Sequence, residues 1–127
     1  GGPYRERTAE VTHIWADNMR AIAQRDNVFL KLGALPAKFT GTNKEQGLPP
    51  TSDDVASAWS PWIAPTIEWF GAARCMFESN FPVHKNWVSY PVLWNAFKKI
   101  AIQASTDEQT ALFAGTAVRA YRMELAL

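Results

Sequence analysis

Apolar positions along the chain change period from segment to segment. Between about Thr8 and Arg25, Val11, Ile14, Trp15, Met19 and Ile22 recur at spacings of three and four, with Asn18 on the same stripe. Glu10, Asp17, Arg20 and Gln24 lie opposite. That period predicts an amphipathic helix. His13 falls inside it, where a surface or core-edge position suits it better than a ligand role. Asp26-Asn27 breaks the period. Val28-Phe29-Leu30-Lys31-Leu32-Gly33 follows, a short apolar run with β-branched and aromatic residues and a closing glycine. Such a run predicts a strand buried on both faces.

From Pro36 to Pro50 the chain is polar and broken by Gly41, Gly47 and Pro49-Pro50, which predicts a long loop. Ser52 is placed to cap a helix with Asp53 and Asp54 in its first turn. Its period runs through Ile63, Ile67 and Phe70 to a stop at Gly71, with a kink or restart expected at Pro61 and Pro65. Cys75 to Phe77 read as a second short buried strand, ended by the polar triplet Glu78-Ser79-Asn80 and by Pro82. A loop with His84, Lys85 and Trp87 leads to a helix from about Pro91 to Ala104, with Leu93, Phe97, Ile100 and Ala101 on its apolar face. Thr106 and Gln109 have capping-box spacing for a short helix closed by Gly115. Thr116 then caps a last helix carrying Val118, Tyr121 and Leu125. The expected fold class is α/β: short parallel strands joined by a right-handed helical crossover and covered by helices, with a helical C-terminus. A two-stranded parallel sheet leaves both edges open, so another segment is expected to cover them.

Composition sharpens this picture. The 127 residues suffice for a single domain, residues 1–127, but not for a complete (β/α)8 barrel of about 250 residues. Aromatic residues make up 13% of the chain and include six tryptophans, so the core should be rich in large rings. Thirteen basic residues against twelve acidic ones leave a net charge of +1, which gives no reason to expect nucleic acid or an acidic membrane surface as partner. The one cysteine, Cys75, forms no intramolecular disulfide and reads as a small buried hydrophobe. No apolar stretch approaches the ~20 residues of a membrane span. Gly1 to Arg7 lack the apolar core of a signal peptide, so the cytoplasm is the expected compartment.

In parallel α/β folds, ligands gather at the C-terminal ends of strands. Two such ends are visible, Lys31 to Ala34 and Glu78-Ser79-Asn80. Buried polar groups there need hydrogen bonds, so the triplet either forms a site or caps backbone groups at a turn. Lys31, Glu78 and Ser79 are the candidates for holding a substrate, and Asn80 and His84 for the chemistry, His84 as an acid or base. HxH, HExxH and CxxC spacings are absent, so these residues hold no self-sufficient metal site. Serine-nucleophile and P-loop motifs are absent too.

The segments Asn27-Val28-Phe29-Leu30-Lys31-Leu32-Gly33 and Arg74-Cys75-Met76-Phe77-Glu78-Ser79-Asn80-Phe81-Pro82-Val83 resemble the amidohydrolase-2 family of TIM-barrel hydrolases. So do Leu93-Trp94-Asn95-Ala96-Phe97-Lys98 and the run from Leu112 to Arg122. The resemblance covers nearly the whole chain and maps onto the C-terminal part of such a barrel. It implies kinship with lactonases, decarboxylases and hydratases that act on small carboxylated compounds. The family's HxH metal motif and a later strand-end histidine would lie upstream of Gly1, so no cofactor is evident and a divalent metal would need ligands from elsewhere. Where many relatives end the second of these strands in Ser-Asp, this chain has Asn80, which is neutral and unable to act as a base. Asn80 is left to orient a water or a substrate carbonyl. His84 falls where relatives with the same Ser-Asn-Phe-Pro motif usually carry aspartate. The function implied is that of an amidohydrolase-like segment whose full-length relatives hydrolyse small carboxylated lactones. The alternative is a non-catalytic oligomerising or small-ligand-binding protein derived from such a barrel, and a third reading is a truncation with no function of its own. The expected partners are a second copy or a complementary barrel segment, with a small-molecule ligand.

Overall fold

The structure is a computed structural model that describes residues 7–35 and 48–124. Helix α1 (Thr8–Ala23) leads into strand β1 (Leu30–Leu32), and helix α2 (Ser52–Phe70) leads through a short 3-10 turn into strand β2 (Cys75–Phe77). Helix α3 (Tyr90–Ile100) follows a second 3-10 turn at Val83–Asn86. The C-terminal part is α4 (Thr106–Thr110), a π-helical segment at Ala111–Gly115, and α5 (Thr116–Tyr121). The result is a helix-dominated α/β fold around a two-stranded parallel sheet, with Leu30 opposite Cys75, Lys31 opposite Met76 and Leu32 opposite Phe77.

The order of elements matches the periodicities, and the departures have physical causes. β1 is not buried on both faces: Leu32 is buried and Leu30 partly so, while Lys31 is exposed. β2 is buried throughout. α2 continues unbroken through Pro61 and Pro65, with no restart. Each proline removes an intrahelical donor at a cost of about 3 kcal/mol. Burial of Val55, Trp59, Ile63, Thr66 and Phe70 on one stripe of the helix offsets it. Thr51, not Ser52, caps this helix: its hydroxyl accepts from the Asp54 amide, and the Asp54 carboxylate accepts from the Thr51 amide at 2.8 Å. Ser105 likewise replaces Thr106 as the cap of α4, paired reciprocally with Glu108. Ser89 caps α3, which ends at Ile100 and not at Ala104.

Gly115 does not close a helix, and Thr116 does not cap one. The helical path continues through both, and the buried Thr116 hydroxyl instead donates to the Ala72 carbonyl at 3.0 Å. Tyr121, expected on an apolar face, is 61% exposed. Leu125 and most of the expected Pro36–Pro50 loop lie outside the described residues.

The core lies between the sheet and α2, α3 and the C-terminal helical run. Phe77 stacks on Phe97 with ring centroids 4.5 Å apart, and Trp59 packs on Phe97 at 5.8 Å. Leu93, Ala96 and Leu112 fill the space around them. α1 is held more lightly: Ala23 is its one residue described as buried, and Ile14 and Ile22 are close to half exposed. Trp15 packs its ring against Trp62 and Trp69, and Arg20 lies over the Trp69 ring. No helix among the described residues is long and apolar enough to cross a membrane.

Candidate functional site

Parallel pairing brings the C-terminal ends of β1 and β2 side by side. The ladder extends one step past the strands, where the Glu78 amide donates to the Leu32 carbonyl at 3.1 Å. Gly33 makes that approach possible: a Cβ on it would stand 2.2 Å from the Glu78 carbonyl oxygen and 2.7 Å from Glu78 Cγ. Reach across the same two ends joins Lys31 Nζ to Glu78 Oε2 at 2.9 Å. That hydrogen bond, with the charge of the carboxylate, holds the Lys31 pKa above its ordinary value.

Beyond Glu78 the chain turns sharply. Asn80 takes a left-handed conformation with φ at +52°, which asparagine tolerates better than most residues. The Ser79 hydroxyl accepts from the Phe81 amide at 3.3 Å, and the Asn80 carbonyl accepts from the His84 amide at 3.3 Å. Turn capping is therefore part of what this triplet does. The same turn lays the Asn80 side chain against His84, with Nδ2 3.4 Å from Nε2. His84 is 3% exposed, with the rings of Trp59 and Trp87 each centred 5.9 Å away. Burial pushes its pKa down, and Glu78 and the Leu35 backbone partly oppose that shift. Its Nδ1 is buried without a hydrogen-bond partner of good geometry.

The five candidates thus gather at one end of the sheet as two pairs, Lys31 with Glu78 and Asn80 with His84, with Ser79 in the turn between them. Three supporting features were not singled out from the sequence. The sequence shows Gly33 as the close of an apolar run, Trp87 as a loop residue and Trp59 as one of six tryptophans. The glycine immediately after an apolar run was a usable signal for close backbone approach; nothing local marks Trp59 as the wall behind His84. An open apolar cleft of about 250 Å³ lies nearby, lined by Trp15, Met19, Leu30, Leu32 and Trp62 among others. Of the five candidates, Lys31 alone reaches it.

The other histidine and the cysteine stand outside the site. His13 is exposed on α1 beside Asp17. Cys75 is fully buried in β2, and burial pushes its thiol up to about 12, which suits a packing role and not a nucleophile. The described residues do not form a donor set for a metal ion. No group of three or more His, Cys, Asp or Glu side chains converges among them. His84 Nε2 is turned to an amide, and the Glu78 carboxylate is engaged by Lys31.

Comparison with known proteins agrees with this architecture. The family model for amidohydrolases matches residues 1–123. The uncharacterised protein y4mH of Sinorhizobium fredii is 38% identical over 109 residues, which are 86% of this chain and 33% of that protein. A crystal structure of an amidohydrolase from Burkholderia multivorans with bound zinc superposes with a TM-score of 0.70 at 27% identity, over 87% of this chain and 37% of that one. A second crystal form of that protein with bound HEPES gives the same TM-score at 28% identity. The chain therefore spans about a third of the length of these relatives. With a match of that extent laid over a parallel sheet whose strand ends carry the polar cluster, the chain belongs to the amidohydrolase family.

Proposed function

We propose that the chain is the C-terminal part of a TIM-barrel hydrolase that opens small carboxylated lactones. The observation that supports this reading most directly is the meeting of five polar side chains at the C-terminal ends of two parallel strands, the place where such folds collect ligands. In this reading Lys31 attracts the substrate carboxylate, exchanging it against Glu78, and Ser79 stands in the turn beside them. Asn80, neutral and held in a fixed turn, orients the attacking water or the lactone carbonyl, with His84 behind it. A divalent metal at this end would take its ligands from outside the described residues. The test is hydrolysis by the full chain across a panel of carboxylated lactones, with and without added zinc or manganese. Turnover lost in Asn80→Ala supports the reading, and absence of turnover across the panel overturns it for the chain alone.

A second reading is favoured by a different observation, the half-exposed apolar face of α1 beside the 250 Å³ cleft. There the chain is a non-catalytic module that pairs with a second copy or with a complementary barrel segment at the β1 edge.

A further inference from the structure

The contact between Asn80 Nδ2 and His84 Nε2 constrains the protonation of the histidine. An amide NH2 group only donates, so at 3.4 Å the ring nitrogen facing it must offer its lone pair. In a neutral imidazole the proton then resides on Nδ1. The two side chains are kept in register by the backbone, because the His84 amide donates to the Asn80 carbonyl within the same turn. The ring is seated by Trp59 from α2 and by Trp87 from the end of its own 3-10 turn.

We propose that His84 is a positioning residue: as the neutral Nδ1–H tautomer it accepts from Asn80 Nδ2 and so keeps Asn80 Oδ1 turned away from the ring as the free acceptor at the end of β2. Protonation of His84 would place a hydrogen on Nε2 against the amide hydrogens. Asn80 would then turn its amide over, with Oδ1 accepting from Nε2–H and Nδ2 facing outward. The group presented at the strand end thus changes from acceptor to donor without movement of the backbone. Among the described residues, Glu78 is the charged group acting on the ring, and its carboxylate is itself tied to Lys31. Trp59, Trp87 and the Leu35 backbone, which also face the ring, carry no charge. The catalytic meaning of this device rests on the proposed role of Asn80, whereas its test reads ring and amide without any turnover.

The experiment is a pH titration of the uniformly 15N-labelled full chain by NMR. With two histidines, the exposed His13 serves as the internal comparison. The expected result is an Nδ1–H tautomer for His84 at neutral pH, and Asn80 side-chain amide signals that shift with the midpoint of His84 and not with that of His13. An Nε2–H tautomer, or Asn80 signals indifferent to the His84 titration, would overturn the proposal. Asn80→Asp gives an independent arm. A carboxylate beside Nε2 should raise the His84 midpoint by about one unit or more and move the proton to Nε2. An unchanged midpoint in that variant counts equally against the proposal. Lactone turnover can be absent while both arms succeed, so the two readings fail separately.

Discussion

At the scale of single residues, His84 links the strand-end site to stability. Its pKa in the folded chain lies below the ordinary histidine value because burial disfavours the imidazolium. The unfolded chain therefore binds a proton more readily than the folded one, and stability rises with pH across the interval between the two values. The stabilisation is complete above about pH 6.5, the ordinary histidine value, and is lost as the pH falls through the folded-state value. Melting temperature should fall between pH 7 and pH 5.5 in the wild type, and His84→Gln should flatten that slope. Equal slopes in the two proteins would refute this assignment. Glu78, Ser79 and Asn80 are legible because polar residues directly after an apolar run mark a strand end, Lys31 because it is the charged residue of the first run, and His84 because it is the titratable group of the loop that follows. What could not be read was how they pair. The Lys31–Glu78 bridge depends on strand register, and the Asn80–His84 contact on a left-handed turn that the letters permit without requiring.

At the scale of elements, the fold depends on how helix ends are tied down, and Arg74 is central to that. Its guanidinium donates to the Ala23 and Arg25 carbonyls, each at 2.8 Å, and to the Phe70 carbonyl at 3.0 Å, so one side chain closes the C-terminal ends of α1 and α2. Arg74→Met keeps the apolar stem and removes these bonds, which should cost about 2–4 kcal/mol. Urea unfolding measures the total, and hydrogen exchange should rise in α1 more than in α3. An unchanged exchange rate in α1 would mean that Trp15 and its neighbours hold the helix unaided. Helices and strands were readable from their periods; cap positions were not, because Thr51-Ser52 and Ser105-Thr106 each offer two competent neighbours. The choice falls to the residue with an acid three positions later, Asp54 and Glu108 respectively. The continuity of α2 through two prolines was hidden for another reason: local propensity argued for a break, and burial contributed by distant segments outweighed it.

At the scale of the whole molecule, the aromatic core closes around α2, α3 and β2 and leaves the α1 side thin. Ile14, Ile22 and Phe29 are each more than 40% exposed, next to a cleft walled by Trp15 and Trp62. Apolar surface gathered beside a sheet edge favours association. Light scattering at rising protein concentration should give a mass above 14.2 kDa, reduced by Trp15→Glu. A monodisperse species of 14.2 kDa at every concentration would refute it. The amphipathic α1 was plain in the sequence, yet its incomplete burial was not, since periodicity reports which face is apolar and not whether a neighbour exists to cover it. The same unevenness gives the lone cysteine of the chain a use. Cys75 is fully buried in β2, within reach of the Thr66 carbonyl of α2, and remains a protonated thiol at neutral pH. An alkylating reagent should therefore consume it only through openings of the core around β2. The rate of its modification is thus a clock for opening of the core.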